Sequence, residues 1–199
     1  ANGVTTTRNL WGIPWHFEYA AMLKSGGLSG PEFHTSGPLL DGNPPVWDGN
    51  LVVETPEDAS SIVKKQKNAG YEYIKVYDKL EPDVFRAIIK AAKENSIPVV
   101  GHVSESITIT EALNSGMKSL EHLIGYNLDA KDDLEEKLTA EKGVWNCPTL
   151  SMWDKWKRIE EMKNMEIEEL KYVHPDIVAD WMEHEMLDSS PEKLGKKLK

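Results

Sequence analysis

Three polar residues stand where apolar strands are expected to end: Lys75 in "YIKVY", His102 in "VVGHV" and His122 in "SLEHL". Two imidazoles are good ligands for zinc and similar divalent cations, and a third group from a neighbouring strand would complete a metal cluster. Each residue also has an ordinary alternative, because a strand-end histidine is more often a hydrogen-bonded rim residue and a lone lysine is usually solvated or snorkelling. Lys75 is the odd one, since Tyr71, Tyr73, Ile74, Val76 and Tyr77 around it all favour strands. Tyr77 lies two residues further along the same face, where it could contact a substrate or simply pack.

The remaining candidates are weaker. Arg8 closes an earlier strand and could form an ion pair or bind a carboxylate, two readings that stand level. His16 and His34 lie near strand or loop ends and read as structural, and His174 and His184 fall in a polar C-terminal stretch. His184-Glu185 lacks the second histidine of H-E-x-x-H, which excludes a zincin helix. The lone Cys147 excludes an intrachain disulfide and a cysteine-rich zinc site, and before Pro148 it reads as a small buried residue.

What would position these residues is a recurring unit in which a helix ends at glycine and a short apolar strand follows. It occurs at Gly3, Gly70, Gly116 and Gly143, each suited to the left-handed cap that closes a helix. "SIPVVGHV" adds a strand led in by Pro98, and "EFHTSG" another, for about six in all. Thr55 is a good N-cap with Pro56 and Asp58 behind it, and Ala59, Ile62, Val63 and Ala69 then share one helix face. Phe85, Ile88, Ile89 and Ala92 repeat that spacing after Pro82. The acidic run "KDDLEEKLTAEKG" reads as a solvated helix with Leu134 and Leu138 turned inward.

Strands alternating with one-sided helices imply parallel β/α units, apolar on both strand faces. Periodicity leaves an open doubly wound sheet and part of a (β/α)8 barrel equally possible. Residues 37–49, "GPLLDGNPPVWDG", are rich in Gly, Pro and Asp and predict an ordered loop of several turns. The organisation expected is a β/α domain over 1–150 followed by a helical segment over 151–199, with Trp153, Trp156, Ile159 and Met162 as its apolar stripe. The abrupt opening at "ANGVTTTRNL" reads as a cut inside a domain.

The chain is 199 residues long with a net charge of -10, which argues against attachment to nucleic acid or an acidic membrane. No apolar run reaches membrane-spanning length. A small or neutral ligand is the better expectation.

Taken in order, "NGVTTTRNL", "TSGPLLDGNPPVWDG", "YIKVYDKLEPDVFRAIIKAAKENSIPVVGHV" and "SLEHLIGYN" resemble successive blocks of the metal-dependent amidohydrolases, in the branch of imidazolonepropionase-like and Xaa-Pro dipeptidase-like enzymes. The resemblance covers about residues 1–150. It implies an α/β fold: part of a (β/α)8 barrel, roughly strands 2 to 7, with a binuclear divalent-metal centre, usually zinc. Lys75 matches the lysine that takes up carbon dioxide and bridges the metals as a carbamate, and His102 and His122 match the histidines of the second metal. Burial among apolar strands would lower the amine pKa and favour the neutral form that carbamate formation requires.

The same resemblance implies metal-assisted hydrolysis of amide bonds in small peptides or cyclic amides, with Tyr77 and Arg8 as candidate substrate contacts. It also marks what is missing, for these 199 residues contain no His-x-His pair of the first strand and no identifiable eighth-strand aspartate. The expectation is a fragment that is inactive alone and oligomerises or needs the missing barrel strands. The alternative is a non-catalytic scaffold or interaction fragment.

Overall fold

A computed structural model describes residues 3–127, 129–157 and 175–176. The chain divides into two compact units, Ala1–Cys147 and Pro148–Lys199. In the second, one helix is described, Leu150–Lys157 (α6). Ile159, Met162, His174 and His184 lie outside the described residues, as does most of the expected helical segment.

In the first unit the strands are Thr6–Asn9 (β1), Glu32–Thr35 (β2), Leu40–Asp41 (β3), Leu51–Val52 (β4), Ile74–Val76 (β5), Val99–Gly101 (β6), Ser119–Glu121 (β7) and Trp145–Cys147 (β8). The helices are Trp15–Lys24 (α1), Pro56–Ala69 (α2), Pro82–Glu94 (α3), Ile109–Ser115 (α4) and Leu134–Lys142 (α5). All strand pairs are parallel. One sheet has the order β4-β3-β5-β6-β7-β8 and a second holds β1 and β2.

A bridge from Ser36 to Tyr73 joins β2 to the foot of β5, with the Gly37 amide donating to the Tyr73 carbonyl at 3.1 Å. Higher on β5, Leu40 pairs with Val76. β2 and β3 are therefore two parts of one interrupted strand running beside β5. This corrects the expectation of a loop throughout 37–49: Leu39 and Leu40 are buried, and they draw the chain back into the sheet before it turns away at Gly42. β4 then pairs with β3, the other strand not expected from sequence.

The caps follow local chemistry. The Thr55 hydroxyl accepts the Asp58 amide, Pro56 opens α2, and Gly70 closes it at φ 97°. Gly116 and Gly143 close α4 and α5 in the same left-handed conformation. The buried face of α2 is Ala59, Val63 and Gln66, so Gln66 replaces the expected Ala69, its amide donating to the Pro38 carbonyl at 2.9 Å. Leu134 is also corrected, being 66 % exposed at the first position of α5, while Leu138 packs on the core.

The core lies between the sheet and its outer helices, where Ile74 and Val76 of β5 meet Val63, Phe85 and Ile88. The opposite strand face carries Tyr73, Lys75 and Tyr77. From β1 to β7 the row counts four interstrand steps, about 19 Å if flat. Yet the Arg8 guanidinium of β1 meets Ser119 and Glu121 of β7 at 2.8 Å each. The sheet must therefore curl strongly, placing Lys75 on its concave face.

Candidate active site

Lys75 is 3 % exposed at the middle of β5. Neighbouring β6 comes unusually close there: a Cβ at Gly101, whose φ is +135°, would lie 2.2 Å from the Val76 carbonyl oxygen and 3.0 Å from Lys75 Cδ. Only glycine allows that approach without strain. Burial pushes the Lys75 amine down to about 8, against the opposing pull of Glu121 and Asp78.

His102 follows β6 directly and is also 3 % exposed. Its Nδ1 lies 2.6 Å from Asp78 Oδ1. A carboxylate oxygen only accepts, so Nδ1–H donates and the neutral ring keeps its lone pair on Nε2. Burial lowers the His102 pKa, with Asp78 pulling the other way. The buried Nε2 has no hydrogen-bond partner among the described residues. An unmatched buried acceptor costs about 1–3 kcal/mol, a cost a bound cation would remove.

His122 follows β7, its ring centroid 5.0 Å from that of His102 in an edge-on arrangement. Its backbone is left-handed at φ 64°, and Leu123 repeats this at φ 58°. Such positions cost on the order of 1–3 kcal/mol and persist where the surroundings enforce them, here through the His122 amide donating to the Cys147 carbonyl at 2.8 Å. Burial, then the nearby His102 and Lys75, push the His122 pKa down to about 4.

Tyr77 packs its half-buried ring 4.2 Å from that of His102, and its hydroxyl accepts the Trp47 indole N–H at 2.8 Å. Arg8 donates to Ser119 Oγ and Glu121 Oε1, and the Ser119 hydroxyl also donates to Glu121 Oε1 at 2.6 Å. Of its two sequence readings, the ion pair is the one formed. His16 accepts the Ile13 amide at 3.2 Å, and His34 pairs with Glu72 at 2.7 Å. Cys147 is half-buried, not enclosed as its sequence context suggested.

The sequence reading missed Asp41, Asp78, Ser119 and Glu121. Glu121 ends the apolar strand that His122 follows, so the same rule applied to carboxylates would have found it, whereas Asp41 lies on β3, a strand too short to be expected from sequence. Asp78 gave no such signal, since it lies in the turn beyond β5. Among the described residues no three His, Cys, Asp or Glu side chains group as a metal cluster. Two neutral imidazoles and an easily deprotonated lysine nevertheless suit a divalent cation, once the amine has lost its charge.

No protein-family model matches the chain, and no curated protein matches it. Solved structures do. Bottromycin amidohydrolase is 30 % identical with a TM-score of 0.63, over 76 % of this chain and 37 % of that one. A Xaa-Pro dipeptidase with methionine bound in its active site is 20 % identical with a TM-score of 0.63, over 83 % and 47 %. The A. niger ochratoxinase is 21 % identical with a TM-score of 0.61, over 83 % and 45 %. The chain thus spans less than half the length of each. Its curled parallel sheet and outer helices make it a partial barrel of the amidohydrolase fold.

Proposed function

We propose that the chain supplies the lysine and histidine ligands of a divalent-metal site, preferentially zinc, in a hydrolase of amide C–N bonds in small peptides or cyclic amides. The observation that carries this reading is His102: Asp78 holds its Nδ1 proton, and its buried Nε2 lone pair is unmatched. This is the arrangement in which a metal-binding histidine is oriented by a carboxylate behind it. Structural neighbours named amidohydrolase and Xaa-Pro dipeptidase support amide hydrolysis as the activity.

In this reading His102 and His122 would hold one cation, and Lys75, as its carbamate, would add an anionic oxygen ligand to the centre. When bound, the cations supply Lewis acidity and bring the pKa of water down to about 7. With its pKa near 8, Lys75 is neutral in roughly one molecule in ten at pH 7, against fewer than one in a thousand for a solvated lysine. The lone pair of that neutral amine forms the N–C bond to carbon dioxide, and the nitrogen releases a proton to leave the carbamate anion. Asp78 keeps the His102 proton on Nδ1 throughout. Tyr77 forms a wall for substrate, whereas a substrate carboxylate would have to compete with Glu121 for Arg8.

The test is hydrolysis of a panel of Xaa-Pro dipeptides and cyclic amides by the complete gene product, with zinc content measured in parallel. Lys75→Ala is expected to abolish metal-dependent turnover, and undiminished activity would remove Lys75 from the mechanism. The chain alone is expected not to turn over. A second reading, a non-catalytic scaffold, is favoured by the lack of a His, Cys, Asp and Glu cluster among the described residues. It predicts that the complete gene product neither retains zinc nor hydrolyses any member of the panel.

A further inference from the structure

We propose that Asp41 is a positioning residue for this site: its carboxylate clamps the loop after β3 to the turn after β5, and so holds Asp78 on His102 and Trp47 on Tyr77. Asp41 is fully buried. Its Oδ1 accepts the Gly42 amide at 3.0 Å and the Lys79 amide at 2.8 Å. Its Oδ2 accepts the Val46 amide at 2.9 Å and Asn50 Nδ2 at 2.9 Å. One oxygen thus grips the turn that carries Tyr77 and Asp78, and the other grips the loop that carries Trp47. Among the described residues no cationic side chain pairs with it, so these N–H donors compensate the buried charge.

An independent feature marks the same junction. A Cβ at Gly42 would lie 1.8 Å from the Lys79 carbonyl oxygen, so the two segments cross in backbone contact. The turn is held from its other side as well, where the Tyr77 carbonyl accepts the Ser104 hydroxyl and the Asp78 carbonyl accepts the Glu105 amide at 2.8 Å. Asp41 is the only side chain among these holds that also reaches the Trp47 loop. Replacing one of its oxygens by an amide group would set N–H against N–H and open the clamp on one side.

The inference rests on the proposed role of His102, but its readout does not need catalysis. In the full chain, the His102 Nδ1 proton shared with Asp78 should give a far-downfield proton NMR resonance, assigned by its loss in His102→Gln. Asp41→Asn and Gly42→Ala, with amide spectra showing α2 and α3 intact, are expected to lose or shift that resonance and to weaken zinc binding roughly tenfold or more. An unchanged resonance in the folded variants overturns the proposal. Gly42→Ala leaves the carboxylate intact, so it decides the matter alone if Asp41→Asn does not fold. A resonance that moves while the complete gene product has no affinity for zinc would retain the positioning role and reject the metal-site reading instead.

Discussion

Replacing Lys75 by Met should change how stability depends on pH, by an amount that follows from the burial of the amine. The folded pKa is depressed from 10.5 to about 8, mainly by desolvation. Below pH 8 both folded and unfolded chains carry the proton, and Lys75 contributes no slope. Between about 8 and 10.5 the unfolded chain binds more protons, so stability rises with pH and levels off above that window. Lowering the amine from 10.5 to about 8 corresponds to about 3 kcal/mol. Methionine has similar length and no proton, so the Lys75→Met chain should lack this rise. The assay is urea unfolding of both chains at intervals from pH 7 to 11, free of metal and carbon dioxide. Other lysines and tyrosines titrate in both chains and cancel in the difference. That difference should narrow by about 3 kcal/mol across the window, or roughly 6–12 °C in melting temperature for a chain of this size. Parallel curves would show that Lys75 is solvated, and the case for an easily carbamylated amine would go with it.

Removing Arg8 tests the curl of the sheet. Arg8→Met leaves the Glu121 carboxylate, 3 % exposed at its side chain, without its cation, at a cost of about 3 kcal/mol in chemical denaturation. Most of that loss should be recovered in Arg8→Met/Glu121→Leu, and failure to recover it would mean that the pair does more than neutralise a buried charge. Gly101→Ala should destabilise the chain by at least about 2 kcal/mol, because its Cβ meets backbone 2.2 Å away at a φ that alanine rarely adopts. A neutral substitution would place β5 and β6 further apart than described.

The functional residues were unequally visible in sequence. Lys75, His102 and His122 stood out because a polar group inside an apolar parallel strand needs a reason, and period-two alternation assigns it a face. The glycine caps, the apolar face of α3 and, Ala69 excepted, that of α2 were legible for the same reason: they depend on a residue's own dihedrals or on spacing along one element. β3 escaped notice because two residues are too short for periodicity to act on, and its place depends on Leu40 finding Val76.

What the sequence determined by itself was therefore local: the β/α alternation, the caps, and which side chains lie at strand ends. Tertiary structure decided whatever required residues far apart in the chain to meet. Asp78 became the partner of His102 across 24 positions, and Arg8 the partner of Glu121 across 113. Neither pairing leaves a periodic trace, because each is set by the curl of the sheet and the direction of a turn. The protonation of the site belongs to the same level, since burial lowers the pKa values of Lys75, His102 and His122, and burial is a property of the packed chain.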